Sequence, residues 1–301
     1  MKVGLQIYSF TWPGGDAEIG PTLARIVRTA DEARFDSIWV MDHFFQIMGP
    51  GTESQPMLEG YTTLGYMAAL TRHARLGLMV GGVHYRQPGL LVKAVTTLDV
   101  LSGGRAWLGL GAAWNQEESD ALGFPFPPLA QRFEMLEETL QFAHGMFEGE
   151  RGTETAFEKR HIQATRLLNS PQSLSRPHVP ILVGGGGERK TLRLVAQYAN
   201  ACNVFGDPET LAHKFAVLKD HCEAVGRPFE DIERTTIMHL NLSGSREGWG
   251  GPQTPDQAVE QAAAYAEVGV QHIMLGVTGV HDPATLDLVC DKLLPQLRAI
   301  T

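Results

Sequence analysis

An Asp-His pair that directly follows a strand-like run is the clearest chemical signal in this chain. The run from Ile38 to Met41 is β-branched, aromatic and apolar, which predicts a buried strand, and Asp42 and His43 come next. In α/β barrels, the residues that follow the strands form the active site. An imidazole titrates near neutral pH and is suited to moving a proton. The pair therefore predicts an enzyme in which His43 is catalytic.

Four consecutive glycines provide a second signal. They stand between a strand-like run and an amphipathic helix, where glycine lets the backbone approach a ligand and present its N–H groups to an anion. Arg189, Lys190 and Arg193, in the first turns of that helix, could each neutralise the anion. The P-loop and dinucleotide motifs do not fit, because Arg189 stands where they require a glycine or another small residue. A phosphate cradle is favoured over a merely flexible turn for Gly184, Gly185, Gly186 and Gly187.

Small residues also follow the strand-like run from Ala106 to Leu110. Ala112 and Ala113 would let a flat ring lie against the backbone, although the glycines in this region could equally serve barrel packing. The run from Leu76 to Gly81 leads to His84, which could line the same pocket. These patterns predict that several strand ends share one binding site.

The elements that position these residues alternate regularly between strand and helix. The strand-like runs are too apolar to leave one face in water, which favours an α/β protein with a (β/α)8 TIM barrel, in a single domain over residues 1–301. Segment 148–179 is polar, contains glycine and proline, and predicts an insertion over the C-terminal face of the barrel. The predicted strands are Val3–Tyr8, Ser37–Met41, Leu76–Gly81, Ala106–Leu110, Pro180–Val183, Ala201–Phe205, Thr236–Leu240 and His272–Leu275.

Composition excludes several classes of function. The formal net charge of −9 opposes a general affinity for nucleic acid, which requires clustered Lys and Arg. The three cysteines are far apart, so neither a disulfide framework nor a zinc site is predicted. No apolar run approaches the ~20 residues of a membrane span, and no targeting segment is recognised. We expect a cytoplasmic protein without a metal.

Taken together, the motifs resemble the bacterial luciferase-like monooxygenase superfamily, and within it the oxidoreductases that use the deazaflavin coenzyme F420. The resemblance spans nearly the whole chain. It rests on Trp39 to His43, Leu101 to Arg105, Gly109 to Asn115, Phe124 to Pro128, and Asn169 to Gln172 followed by Gly184 to Thr191.

The resemblance implies a role for each matching residue. Asp42 and His43 would contact the coenzyme ring, and His43 would donate or accept a proton. A non-proline cis peptide is expected between Met79 and Val80. The other expected coenzyme contacts are Met79, Val80, Gly81, Ala112, Ala113, the four glycines of the phosphate cradle, and Lys190. Arg86, Arg160 and Arg193 are further candidates, beside Lys190, for the anionic tail of the coenzyme. The expected substrate contacts are Trp12, His84 and Trp114. The resemblance also implies a homodimer.

One departure from the resemblance concerns the substrate. Sugar-phosphate dehydrogenases of this superfamily carry a glutamate acid just beyond the small residues of the fourth strand, and the nearest position here is Trp114. We therefore expect hydride transfer between F420 and a small organic substrate, and this departure disfavours a hexose phosphate. Three alternatives stay open: an FMN-dependent monooxygenase, a barrel that binds a flavin or deazaflavin without turnover, and a metal-dependent hydrolase, which is disfavoured because Gln6-Ile7-Tyr8 offers no ligand.

Overall fold

A closed barrel of parallel strands forms the centre of the protein. The structure is a computed structural model that describes residues 1–49, 51–242, 244 and 250–301. The barrel strands are β1 Lys2–Ile7, β2 Ser37–Val40, β3 Arg75–Leu78, β4 Gly81–Gly82, β5 Ala106–Gly111, β8 Ile181–Gly184, β9 Ala201–Asn203, β10 Glu233–Leu240 and β11 His272–Val277; β6 Phe157–Glu158 and β7 Gln163–Ala164 form a separate hairpin. The barrel strands follow the order β3-β2-β1-β11-β10-β9-β8-β5, and a pairing between β3 and β5 closes the ring.

The predicted barrel is confirmed, and every predicted strand corresponds to an observed one. The third position of the barrel is shared by β3 and β4, which both pair with β5. The peptide bond between them, Met79–Val80, is cis, as expected. Because the barrel strands are all parallel, their carboxyl ends lie on one face, where the Asp-His pair and the glycines converge.

Helices surround the barrel and bury one apolar side against it. In the helix that follows β9, Leu211, Phe215, Leu218 and Cys222 are buried at a spacing of three or four residues. Asp207 caps its start, and Gly226 ends it in the left-handed conformation. The helices are α1 Asp16–Glu32, α2 Gly60–Leu70, α3 Pro88–Ser102, α4 Gln116–Leu122, α5 Leu129–Phe147, α6 Thr191–Tyr198, α7 Pro208–Val225, α8 Pro255–Glu267, α9 Pro283–Leu288 and α10 Leu294–Ala299.

Side chains alternate between the helix layer and the barrel interior along each strand. In β1, Leu5 and Ile7 belong to the large cluster that also contains helix residues such as Leu23, whereas Gln6 points the other way and lines a cavity. A second apolar cluster fills the barrel interior beneath that cavity, with members from six barrel positions: Trp39, Met79, Trp107, Leu182, Ala201 and Met274. This packed layer forms the floor of the site.

The expectation that segment 148–179 covers the C-terminal face was wrong. The hairpin of β6 and β7 lies against α5, where the N–H groups of His161 and Ile162 donate to Glu138. Farther along, the N–H of Leu174 donates to Asp99 of α3, and residues 174–178 line a cavity with Lys2 and His272, which begin strands. The reason is topological: α5 ends and β8 begins at the N-terminal face, so the segment starts and finishes there.

No helix in the described part of the chain combines the length and the apolar composition needed to cross a membrane. Cys202, Cys222 and Cys290 are free thiols.

Candidate active site

A cavity of about 720 Å³ opens at the carboxyl ends of the strands. Its size lies in the range of small-molecule and cofactor sites. Most of the residues predicted from sequence line it, which brings together segments far apart in the chain: Asp42, His43, Met79, Val80, Gly81, Ala112, Ala113, Trp114, Gly184, Gly185, Gly186 and Gly187.

His43 reaches this cavity while its ring is held from behind by a buried carboxylate. Nδ1 of His43 lies 2.6 Å from Oε1 of Glu118, whose side chain is fully buried. No hydrogen-bond partner for Nε2 of His43 is found within the described residues. The ring edge packs near Trp114, with 5.5 Å between the ring centroids. The imidazole is therefore anchored through one nitrogen, and the other is available to a ligand.

Glu118 accepts hydrogen bonds at both oxygens. Oε1 also accepts from the Tyr85 hydroxyl at 2.5 Å, and Oε2 accepts from the N–H groups of Phe44 and Phe45 at 2.8 and 3.2 Å. Burial alone would raise the pKa of Glu118. The hydrogen bond and the charge of His43, together with the hydrogen bonds from Tyr85 and from the N–H of Phe44, lower that pKa below its ordinary value. Glu118 is therefore ionised at neutral pH.

Asp42 is part of a buried ion pair beside His43. Its two oxygens accept from the guanidinium of Arg86 at 2.7 and 2.8 Å, and Oδ2 also accepts from the N–H of Gly82 at 3.0 Å. Burial raises the pKa of Asp42, and the guanidinium opposes this shift. Arg86 also contacts Glu59, and although burial would raise the pKa of Glu59, hydrogen bonds from Thr62 and Arg86 lower it to about 2. Arg86 is thus committed to holding the strand ends together.

Residues without bulky side chains form one wall of the cavity around Val80. A Cβ added to Gly184 would lie 2.8 Å from Cγ2 of Val80, and one added to Gly111 would lie 2.9 Å from the same atom. A Cβ at Gly109 would lie only 2.0 Å from the carbonyl oxygen of Leu78. These glycines are required by the close approach of three strand ends, which leaves a smooth backbone surface.

The glycine loop has the features of an anion cradle. The N–H of Gly185 donates to the carbonyl of Asn203 at 2.9 Å, whereas the N–H groups of Gly186 and Gly187 donate to no acceptor within the described residues. Lys190 is exposed at the start of α6, and its ammonium lies 5.3 Å from the ring centroid of Phe133, which lines the cavity. A phosphate at this rim would meet backbone donors and one nearby cation.

Three expected contacts lie off the cavity lining: Lys190, Trp12 and His84. Trp12 is buried and packs against Phe10. His84 is buried with Nε2 2.9 Å from the hydroxyl of Ser119, and burial, with the charge of Arg132, lowers its pKa to about 4. His84 is therefore neutral and contacts α4 from behind. The other expected tail cations are paired, Arg193 with Glu137 and Arg160 with Glu134.

Sequence reasoning missed several residues of this site, and two of them, Glu118 and Gln6, bear directly on its chemistry. Glu118 lies on α4, five residues beyond the small pair, and its only sequence signal is its place three residues after the capping Asn115. Gln6 lies in β1 with its side chain in the cavity lining, and its Oε1 is buried without a partner. The inward position of Gln6 between the outward Leu5 and Ile7 was readable from strand alternation.

This arrangement can move a proton beside a flat ligand. His43 provides one accessible ring nitrogen, Glu118 provides the charge behind it, and the glycine wall and Trp114 enclose an apolar space. Within the described residues, no group of three or more His, Cys, Asp or Glu side chains is placed to hold a metal ion.

Comparison with known proteins identifies the family. The luciferase-like monooxygenase family model matches residues 1–247. The F420-dependent glucose-6-phosphate dehydrogenase of Nakamurella multipartita is 24% identical to this chain, over 97% of each protein.

Two solved structures share the fold at low sequence identity. An F420-dependent secondary alcohol dehydrogenase in complex with an F420-acetone adduct has a TM-score of 0.82 at 15% identity, covering 99% of each chain. The EDTA monooxygenase of Chelativorans sp. BNC1 has a TM-score of 0.82 at 13% identity, covering 100% of this chain and 95% of that one. With more than half of its length matched by the family model, this chain belongs to the luciferase-like monooxygenase family.

Proposed function

We propose that this protein is an oxidoreductase that transfers a hydride between the deazaflavin coenzyme F420 and a small, uncharged organic substrate. The observation that carries the proposal is the convergence of His43, the glycine wall around Val80 and the Gly184 to Gly187 loop on one cavity. The curated relative in N. multipartita is F420-dependent by name, and its alignment covers nearly the whole chain.

The residues present fit such a coenzyme. A flat ring requires a wall without side chains, and at Gly111 and Gly184 there is no room for even a Cβ beside Val80. A phosphate requires backbone donors, which Gly186 and Gly187 offer, and an anionic tail would pass Lys190 at the rim. Ala112 and Ala113 border the same space, and the carbonyl of Ala112 is held by Arg132 at 2.9 Å.

The protein's part in the reaction is to orient the reactants and handle the proton. A bound deazaflavin supplies a carbon centre that accepts or releases a hydride. Nε2 of His43 donates or accepts the proton that accompanies this transfer, because Nδ1 is already bonded to Glu118. Asp42 keeps the strand ends in place through Arg86 and Gly82. Trp114, Ile47 and Phe205 contribute apolar side chains to the cavity lining.

The cavity lining supports an uncharged substrate. Among the described residues that line it there is no Lys or Arg, whereas a sugar phosphate requires such a cation to offset its charge. The polar groups on the lining, such as Gln6 and Asn203, are suited to hydroxyl or carbonyl groups. We therefore propose a neutral substrate rather than the glucose 6-phosphate for which the N. multipartita relative is named.

The first test is a parallel titration of the purified protein with F420 and with FMN, followed by fluorescence and checked by calorimetry. Tighter binding of F420 is the expected result. Tighter binding of FMN would instead place the protein among the oxygen-using members of the family, and binding of neither would contradict the proposal.

The second test compares substrates at saturating F420. We expect neutral secondary alcohols or their ketones to react, and glucose 6-phosphate to give a far lower kcat/KM. A kcat/KM for glucose 6-phosphate equal to or above that of every neutral compound would contradict the proposed substrate class.

We also propose that the protein forms a homodimer in a reducing cytoplasmic compartment. Tyr66 of α2 and Leu90 of α3 are exposed side chains on helices that pack against each other, and we assign these two helices to the proposed contact. Three free thiols are compatible with a reducing environment. A monomeric mass by light scattering would contradict the dimer.

A further inference from the structure

We infer that Glu118 is a positioning residue that fixes the proton of His43 on Nδ1, so that Nε2 faces the cavity as a proton acceptor. This inference deepens the proposed function, and it rests on that function for its catalytic consequence. It concerns a contact between two side chains of this chain, so its structural part can be measured without coenzyme.

Glu118 is not the member of the pair that carries the proton. Glu118 already accepts three donors besides His43, namely the Tyr85 hydroxyl and the N–H groups of Phe44 and Phe45. A carboxylate that accepts this many hydrogen bonds stays ionised and has no hydrogen to give. The 2.6 Å contact between Oε1 and Nδ1 therefore requires Nδ1 of His43 to be the donor.

The other ring nitrogen of His43, Nε2, is an acceptor. A neutral imidazole carries one proton, so with that proton on Nδ1 the lone pair lies on Nε2. His43 lines the cavity, and no partner for Nε2 is found within the described residues. Nε2 is then ready to accept a proton from a ligand, and the imidazolium that results is stabilised by the carboxylate behind it.

The consequence is a direction for the proposed reaction. In the oxidation of an alcohol, the O–H bond breaks and its proton bonds to Nε2. The electron pair of that bond would form the carbonyl, and bound oxidised F420 would supply the acceptor for the hydride of the carbon that carries the oxygen. The products are a ketone or aldehyde, the reduced coenzyme and the His43 imidazolium, so that atoms and charge balance. A substrate with a hydroxyl group therefore fits the state in which Glu118 is ionised and His43 is neutral, with its proton on Nδ1.

The geometry around Glu118 makes Glu118→Gln a sharp test. The N–H groups of Phe44 and Phe45 need an acceptor at the position of Oε2, so the carbonyl oxygen of the new amide takes that place. Its NH2 group then faces His43 and must donate to Nδ1. The imidazole is driven into the tautomer with its proton on Nε2, which cannot accept a proton from a substrate.

The experiment measures the tautomer of His43 by ¹⁵N NMR in the coenzyme-free protein, at a pH where the imidazole is neutral. A His43→Asn variant assigns the signal. We expect the Nδ1–H tautomer in the original protein, the Nε2–H tautomer in Glu118→Gln, and no change in Glu117→Gln, which makes the same substitution at the exposed neighbouring position of α4. An Nε2–H tautomer in the original protein, or an unchanged tautomer in Glu118→Gln, would overturn the inference.

Kinetics then separate this inference from the proposed function. In Glu118→Gln we expect kcat for alcohol oxidation to fall roughly 10³- to 10⁴-fold, as for a triad imidazole held in the wrong tautomer. KM and the Kd for F420 should change by only a few fold. If the tautomer switches but neither protein oxidises an alcohol with F420, the proposed function fails and the positioning stands. If kcat survives the switch, Glu118 does not act through His43 in catalysis.

Discussion

The Cγ2 atom of Val80 lies only 2.8 Å from the position that a Cβ at Gly184 would take. We predict that Gly184→Ala pushes the Val80 side chain toward the cavity and weakens F420 binding. Bound F420 would occupy the space into which Val80 moves, so overpacking strain of about 1 to 3 kcal/mol is relieved only in the free protein and raises Kd by roughly 5- to 150-fold. Fluorescence titration measures this change.

The matched control for that prediction is Gly65→Ala on α2, which does not line the cavity. A Cβ at Gly65 meets no atom within 4 Å, so the fold and the coenzyme site should both be retained. Equal losses of affinity in the two variants would show that the Val80 contact is not the cause.

His43 is expected to contribute more to kcat than to the affinity for F420. His43→Ala removes the accessible ring nitrogen but leaves the glycine wall and the cradle intact, so we predict a loss of kcat of roughly 10²- to 10⁴-fold. The Kd for F420 should change by only a few fold, which single-turnover kinetics and titration measure together. A variant that keeps its turnover would remove His43 from the proton transfer.

Trp114 is expected to act on substrate affinity. Its side chain is 64% exposed at the cavity, so Trp114→Ala should leave the free energy of unfolding nearly unchanged while KM for an apolar alcohol rises. Leu101→Ala is the control, because Leu101 is 74% exposed on α3 and does not line the cavity. If KM rises equally in both variants, or in neither, Trp114 does not bind the substrate.

Much of this architecture was readable from sequence because it follows from short-range patterns. Strand alternation and the residues after each strand predicted the barrel and about half of the cavity lining, including Asp42, His43 and the four glycines from Gly184 to Gly187. Glu118 was not predicted, since its bond to His43 depends on how α4 folds back over the barrel. The position of segment 148–179 was predicted wrongly, because composition indicates an insertion but not the face of the barrel on which it lies. The direction of the chain does determine that side: in a barrel of alternating strands and helices, each helix ends and each strand begins at the N-terminal face.

The ion pair between Asp42 and Arg86 tests how the strand ends are held. Removing one partner leaves a buried charge uncompensated, which destabilises proteins by about 3 to 5 kcal/mol. We predict a loss of this size for Arg86→Met, measured by urea unfolding. Asp42→Asn in the same background should recover part of the loss. If the double variant is less stable than Arg86→Met, the two charges are not coupled in the way the bidentate contact indicates.

At the opposite end of the barrel, Glu233 gives the stability of the fold a pH dependence. Its carboxylate lies 3.1 Å from Nδ1 of His272 and 3.1 Å from Nζ of Lys2, all at the starts of strands. Burial alone would raise the pKa of Glu233, but the hydrogen bond and charge of His272, together with Lys2, lower it to about 2. A carboxyl whose pKa is lower in the folded than in the unfolded state stabilises the fold above the unfolded pKa. That contribution is lost as pH falls through the folded pKa.

We therefore predict that Glu233→Gln lowers the free energy of unfolding at neutral pH by up to about 3 kcal/mol, the equivalent of the pKa shift. The difference from the original protein should shrink steadily below about pH 4.5, as Glu233 takes up its proton. Urea unfolding over a series of pH values measures it, with exposed Glu223→Gln on α7 as the control. A difference that stays constant with pH would mean that Gln disrupts packing, and that the charge of Glu233 contributes nothing.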